Sequence, residues 1–111
     1  MNDRNSSTIE KATVIVEATF NPNGMNTAEF KEYSRRSNAN GEAHGGVVQR
    51  KYQVTDNLGD GGTPQLMLIV EYPSHEMAQK AFTNEEYKAI LPLREVAFKE
   101  VKILFTSSMA V

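Results

Sequence analysis

Four short segments rich in apolar and β-branched residues predict strands over residues 12–20, 47–55, 65–72 and 100–106. The third run is almost continuously apolar, which indicates a central strand covered on both faces. The second alternates only in part, as expected of an edge strand with one face in water. Residues 56–64 read DNLGDGGTP, which is typical of a flexible hairpin loop between the second and third strands.

Apolar residues at helical spacing follow the first strand and predict a long helix. Asn26 is its expected N-cap, and the helix is expected over residues 27–40. Gly41 is expected to stop or interrupt it, and Gly45-Gly46 to end any continuation, because glycine is the residue that most often closes a helix.

A second main helix is expected after the third strand, with Ser74 as its N-cap. Thr83-x-x-Glu86 has the form of a capping box and predicts the start of another short helix. That helix is expected to break just before Pro92, because proline has no N–H to donate to the preceding turn.

The order of these elements is βαββαβ, and two segments of the chain have similar sequences. Residues 14–17 read VIVE and residues 68–71 read LIVE, and each segment is followed by a proline-containing break and a helix. Two right-handed strand–helix–strand halves form a four-stranded antiparallel sheet with both main helices on one face. This α+β arrangement is ferredoxin-like, and its first and third strands are the central pair.

The sheet face opposite the helices is predicted to be apolar. Alternation along the strands places Ile15, Met67 and Ile69 on that face, together with Leu104 or Ile103. Such a surface measures a few hundred Å², which a monomer rarely exposes. We therefore expect a homodimer through the open sheet face, enclosing a barrel-like space. The alternative is a monomer whose sheet is wet on one side.

Composition narrows the classes of function. The chain of 111 residues has a net charge of −2 and no cysteine. We expect one domain over residues 11–107, a flexible tail over 1–10 and a frayed end over 108–111. There is no basic stripe for nucleic acid and no apolar run for a membrane, so neither partner is expected. The absence of cysteine is consistent with a cytoplasmic protein.

Several short motifs resemble a known family in their order and spacing. They are His44-Gly45-Gly46, Tyr72-Pro73-Ser74, Asn84-Glu85-Glu86-Tyr87 and Leu93-Arg94. The chain resembles, from about residue 13 to 105, the small bacterial family catalogued as domain of unknown function 1330. The resemblance implies a ferredoxin-like subunit of a dimeric α/β barrel, a superfamily that includes cofactor-free monooxygenases, lactone isomerases and haem-dependent enzymes. It implies no particular reaction.

The chain departs from the family pattern at two places. Val47 stands where a basic residue often follows the glycine pair, and Ala81-Phe82 replaces a common Trp-Tyr pair. A pocket inherited from the family is therefore expected to be altered.

Four residues are candidates for catalysis. Glu17 and Glu71 each end an apolar run, and a carboxylate near apolar walls is suited to general acid–base chemistry. The alternative is a solvated strand end or an ion pair. Arg94 follows the predicted helix break, and its fork can hold a carboxylate, phosphate or enolate or else pair with a nearby glutamate. His44 can act as a base near neutral pH or simply end a helix.

Ligand-binding candidates are the amphipathic residues Tyr33, Tyr72 and Tyr87, together with Arg50. The alternative for each tyrosine is a core-edge ring with a satisfied hydroxyl. No metal site is expected, since His44 and His75 have no partner histidine at helical spacing. No cofactor is expected either.

Two functions remain open. The first is a cofactor-free enzyme of isomerase or monooxygenase type that acts on a small carbonyl or aromatic compound. The second is a non-catalytic ligand-binding or stress-related dimer. An RNA-recognition module has the same topology but stacks bases on aromatic residues of strands one and three, where this chain has Glu17 and Glu71 instead. A regulatory amino-acid-binding domain also shares the topology but is normally fused to an enzyme.

Overall fold

The structure is a computed structural model that describes residues 10–110. The predicted tail over residues 1–10 therefore lies outside the described residues except for Glu10. Residues 106–110 form no regular element, and the domain limits stay predictions.

Within residues 10–110 four strands form one sheet, as predicted. They are β1 (Ala12–Phe20), β2 (Val47–Gln53), β3 (Leu66–Tyr72) and β4 (Phe98–Phe105). β2 ends two residues earlier than predicted, and β4 begins two residues earlier. The early start of β4 follows from Phe98, which is buried and pairs with Phe20 of β1.

Four α-helices connect the strands: α1 (Ala28–Ala43), α2 (His75–Thr83), α3 (Glu85–Ala89) and α4 (Leu91–Ala97). The predicted cap Asn26 is wrong, because a short 3-10 helix occupies Gly24–Asn26. The Thr27 side chain instead caps α1 by accepting from the Phe30 N–H at 3.0 Å. Gly41 does not stop α1, since one glycine in a helix costs only about 1 kcal/mol.

The remaining helix signals are partly confirmed. Gly45 follows α1 with φ of 81° and closes it, as predicted. Ser74 caps α2 through a 3.1 Å bond from the Met77 N–H, also as predicted. The Thr83 capping box is wrong, because Thr83 is the last residue of α2 and Asn84 caps α3. Pro92 lies in the first turn of α4, so the predicted break is confirmed.

The strand order is β2-β3-β1-β4, and all three pairings are antiparallel. β1 and β3 are the central pair and β2 is an edge strand, as predicted. The fold is thus α+β and ferredoxin-like. All seven residues of β2 are exposed, so both faces of this strand contact solvent in the single chain.

The helices pack against one face of the sheet. Val14 pairs with Val70, and both are buried under the helices with Ala78 and Ala81 of α2. We call the other side the open face. Ile15 lies there, opposite Ile69 and Leu104, so Leu104 and not Ile103 belongs to that face. Among residues 10–110 no helix packs on β3 from the open face, where coverage of both faces was predicted.

Candidate functional site

Three helices bring together two tyrosines and an arginine on the helix side of the sheet. The hydroxyls of Tyr33 on α1 and Tyr87 on α3 lie 2.7 Å apart. Arg94 of α4 donates from Nη1 to the Tyr87 hydroxyl oxygen at 3.0 Å, and its guanidinium carbon lies 5.8 Å from the centre of the Tyr87 ring. The predicted residues Tyr33, Tyr87 and Arg94 thus form one hydrogen-bonded group.

Tyr72 of β3 lies beside this group. The Phe82 ring is 6.1 Å from that of Tyr72 and 5.5 Å from that of Tyr87. Tyr72 and Tyr87 are each 3% exposed. We call Tyr33, Tyr72, Tyr87 and Arg94 the tyrosine cluster.

Burial makes two tyrosines of the cluster, Tyr33 and Tyr72, harder to ionise. It raises the pKa of Tyr33 well above its usual value, and the neighbouring Tyr87 raises it further. Burial also raises the pKa of Tyr72, with a smaller contribution from Tyr87. A tyrosine is already neutral at physiological pH, and burial extends the neutral form of Tyr33 and Tyr72 to more alkaline pH, so both act as hydrogen-bond donors and not as bases.

The tyrosine cluster contains more donors than its own acceptors can use. The two hydroxyls of Tyr33 and Tyr87 share one hydrogen bond, so one of their protons is left for another acceptor. Among residues 10–110 the Tyr72 hydroxyl has no hydrogen-bond partner, and no carboxylate forms an ion pair with Arg94. A positively charged, donor-rich group of this kind is complementary to carbonyl, enolate, phenolate or carboxylate oxygens.

A buried amide pair fixes the position of Tyr87. Asn84 Oδ1 accepts from the Tyr87 N–H at 2.9 Å, which caps α3. Its Nδ2 donates to Asn40 Oδ1 at 2.9 Å, and Asn40 Nδ2 donates to the Ala81 carbonyl at 2.8 Å. Asn40 is 7% exposed, so this pair joins α1 to the α2–α3 junction in a water-poor environment.

His44 lies next to the same network. Its Nδ1 is 2.8 Å from the Asn40 carbonyl oxygen, which can only accept, so Nδ1 carries a proton. In the neutral ring Nε2 is then the basic nitrogen. His44 is half-buried at the C-terminus of α1 and lies on the helix side of the sheet.

The other predicted residues lie on the open face, across the sheet from the tyrosine cluster. Glu17 is opposite Met67, and Arg50 is opposite Ile69. Glu71 is opposite Thr13 and forms an ion pair with Lys11 at 3.6 Å. The register separates Glu17 and Glu71 by four residues, about 13 Å at the rise of a strand, so they do not act as a close carboxylate pair.

Sequence reasoning missed the amide pair. Asn84 carried a signal that was not used, since asparagine directly before two glutamates is a strong N-cap. Asn40 carried no such signal, because its burial depends on how α1 packs against the junction after Ala81. The alternative role of Arg94, pairing with a nearby glutamate, is not seen in the described residues: Arg36 Nε donates to Glu86 at 3.2 Å.

Within the described ranges, no three histidine or acidic side chains group as a metal site would require. No helix there has the length and apolarity needed to cross a membrane. The predictions on metals and compartment stay predictions.

The fold and site define the class: a ferredoxin-like α+β protein with a donor-rich tyrosine cluster under its helices. The model of the family described as "Domain of unknown function (DUF1330)" matches residues 10–107. The chain therefore belongs to this family, as its motifs indicated. No curated protein matches the chain significantly.

Solved structures share the fold at low identity. The RPA0582 protein of unknown function from Rhodopseudomonas palustris is 16% identical, with 96% of this chain and 89% of that one covered and a TM-score of 0.74. SnoaB, a cofactor-independent oxygenase from Streptomyces nogalater, is 13% identical, with coverages of 92% and 96% and a TM-score of 0.61. A dimeric ferredoxin-like protein of unknown function from Bacteroides fragilis is also 13% identical, with coverages of 90% and 99% and a TM-score of 0.56.

Proposed function

We propose that this chain is the subunit of a homodimeric α/β barrel whose tyrosine cluster binds a small carbonyl or aromatic compound. The observation that carries the proposal is the hydrogen-bonded row Arg94–Tyr87–Tyr33, which presents a positive charge and spare donors without a carboxylate. A ligand with an electron-rich or anionic oxygen satisfies these donors, whereas a purely apolar ligand leaves them unpaired.

The dimer part of the proposal is supported by the open face. Ile15, Ile69 and Leu104 lie side by side there, and Leu104 is 41% exposed in the single chain. The Bacteroides fragilis neighbour is described as dimeric. A second sheet packed on this face removes the apolar surface from water.

The catalytic form of the proposal is a cofactor-free reaction that passes through an oxyanion. Removal of a proton next to a carbonyl places negative charge on the oxygen, where Arg94 and the tyrosine hydroxyls donate to it. Of the three predicted acids and bases, His44 is the one on the same side of the sheet, and we assign it as the base. An isomerase uses this step directly, and the structural neighbour SnoaB is described as a cofactor-independent oxygenase.

The test is ligand binding to hydroxyl-deleted variants. A panel of enolisable ketones and hydroxylated aromatics is screened by thermal shift and calorimetry against wild type, Tyr87→Phe and Arg94→Lys. We expect a ligand whose affinity falls about tenfold in each variant, since one charge-assisted hydrogen bond contributes about 1.5–3 kcal/mol. Arg35→Lys, at an exposed position away from the cluster, is the matched control and retains affinity.

Turnover of the same ligand separates the two functions. Hydrogen–deuterium exchange at carbon indicates proton transfer, and oxygen uptake indicates oxygenation. Binding without either supports the alternative, a non-catalytic ligand-binding dimer. Binding that Tyr87→Phe and Arg94→Lys leave unchanged contradicts the assignment of the site.

A further inference from the structure

We infer that the open face carries a second ligand site, a polar cavity that takes a small zwitterionic molecule such as a free α-amino acid. The cavity measures about 420 Å³ and lies where β1 and β4 meet the end of the β2–β3 loop. It is on the opposite side of the sheet from the tyrosine cluster. The inference rests on the proposed homodimer, because the partner's sheet is what removes water from this face.

The cavity wall contains equal numbers of positive and negative side chains. Glu17 and Glu100 contribute two carboxylates, and Lys99 and Lys102 contribute two ammonium groups. Glu17 and Lys102 are directly opposite in the β1–β4 register. Even so, none of the four forms an ion pair with another residue of the described range, so all four remain available to a ligand.

A β-bulge in β4 accounts for the presence of both Lys99 and Glu100 in the cavity wall. Thr19 is opposite Glu100 but the next residue of β1, Phe20, is opposite Phe98, so Lys99 is the extra residue of β4. In a regular strand Lys99 and Glu100 point to opposite faces of the sheet. The bulge breaks the alternation, and both residues line the same cavity. Bulges occur preferentially where a side chain is redirected toward a site.

The loop beside the cavity is anchored to β1 at its C-terminal end and is hydrogen-bonded within itself. Gln65 is tied to β1 twice, by its N–H to the Ala18 carbonyl at 2.8 Å and by its Oε1 to the Phe20 N–H at 2.8 Å. Asn57 bonds within the loop to Gly59 N–H at 2.8 Å and to the Asp60 carbonyl at 3.2 Å. Thr63 therefore reaches the cavity from a segment next to an anchored residue, Gln65, and the predicted flexibility of residues 56–64 stays a prediction.

The charge pattern determines the class of ligand. Once a partner sheet excludes water, each charged group needs a compensating charge or hydrogen bonds. The wall has no net charge, so an anion or a cation alone leaves two like charges unbalanced. A molecule that carries both a carboxylate and an ammonium group matches the lysines with one end and the glutamates with the other.

Calorimetry on the intact chain tests the site. The free L-α-amino acids are titrated one by one, and the best binder is compared with its N-acetyl derivative and its methyl ester, each of which lacks one charge. We expect saturable binding of at least one amino acid, and about tenfold weaker binding of both derivatives. Glu17→Gln and Lys102→Gln are each expected to weaken binding by a similar factor, whereas Glu42→Gln and Lys51→Gln, exposed elsewhere, are not.

Sedimentation of the same sample separates this inference from the proposed function. A dimer that binds no free amino acid, or that binds the N-acetyl derivative equally well, contradicts the zwitterion site alone. A monomer that binds none contradicts both the dimer and the site. Loss of binding in the control variants likewise contradicts the site, because the effect is then one of overall charge.

Discussion

Burial changes the acidity of two single residues, because it raises the pKa of Tyr33 and that of Tyr72. Tyr33 and Tyr72 stay neutral to higher pH than an ordinary tyrosine because burial removes the water that a phenolate needs. The sequence identified both residues as ligand-binding candidates, but it gave no means of deciding that they act as donors. That conclusion depends on Tyr87, which is separated from Tyr33 by 54 positions along the chain.

These ionisations predict how stability depends on alkaline pH. The pKa of Tyr33 and that of Tyr72 are raised in the folded state above the value of 10.0 that applies to an unfolded chain. The unfolded state therefore loses protons first as pH rises, and the stability contributed by neutral burial is complete below pH 10 and declines above it.

Phenolate absorbance, on the long-wavelength side of the tyrosine band, measures how many tyrosines are ionised at each pH. We expect Tyr33→Phe to reduce the group of tyrosines that ionise only when the protein unfolds. A native protein in which Tyr33 ionises near the ordinary tyrosine pKa of 10.0 without unfolding contradicts the account of its burial.

At the scale of elements, the sequence predicted the strands well and the helix ends less well. β1 was predicted at its observed limits because its β-branched run and its closing Asn-Pro-Asn-Gly cluster agree. The caps of α1 and α3 were each misplaced by one residue, since Thr27 and Asn84 compete with equally good neighbours. Which neighbour caps is decided by packing that a single sequence does not reveal.

The 3-10 helix before α1 depends on a close approach of two backbones. A Cβ at Gly24 would stand 2.0 Å from the Ala97 carbonyl oxygen, which also accepts from the Asn21 N–H at 3.0 Å. We expect Gly24→Ala to lower the free energy of unfolding by about 1–3 kcal/mol, measured by urea denaturation. Gly62→Ala is the control, because no atom lies within 4 Å of its added Cβ. Equal effects of the two substitutions contradict this packing.

The amide pair makes a second prediction for the helices. Asn84→Ala removes the cap of α3 and leaves Oδ1 of the buried Asn40 without its donor, so we expect a loss of about 1–3 kcal/mol in unfolding free energy. Asn84→Asp keeps the cap oxygen and is expected to lose less. A larger loss for Asp than for Ala would show that the cap is not what Asn84 contributes.

At the scale of the whole molecule, the sequence predicted the topology because hydrophobic periodicity and chain order suffice for it. It also identified the apolar open face, and the register confirms the shared face of Ile15, Met67 and Ile69. The sequence did not show which of the candidate residues share a face of the sheet and could therefore belong to one site. The tyrosine cluster and the charged cavity lie on opposite sides of one sheet, which follows only from the pairing and the bulge.

The central claim is that a second copy covers the open face, and sedimentation equilibrium at micromolar concentration tests it most directly. The account predicts a species of twice the 12.4 kDa chain mass for wild type and a single-chain mass for Ile69→Lys. Val48→Lys, on the helix side of the edge strand and 51% exposed, is predicted to remain a dimer. A wild-type protein that sediments as a folded 12.4 kDa species would contradict the claim.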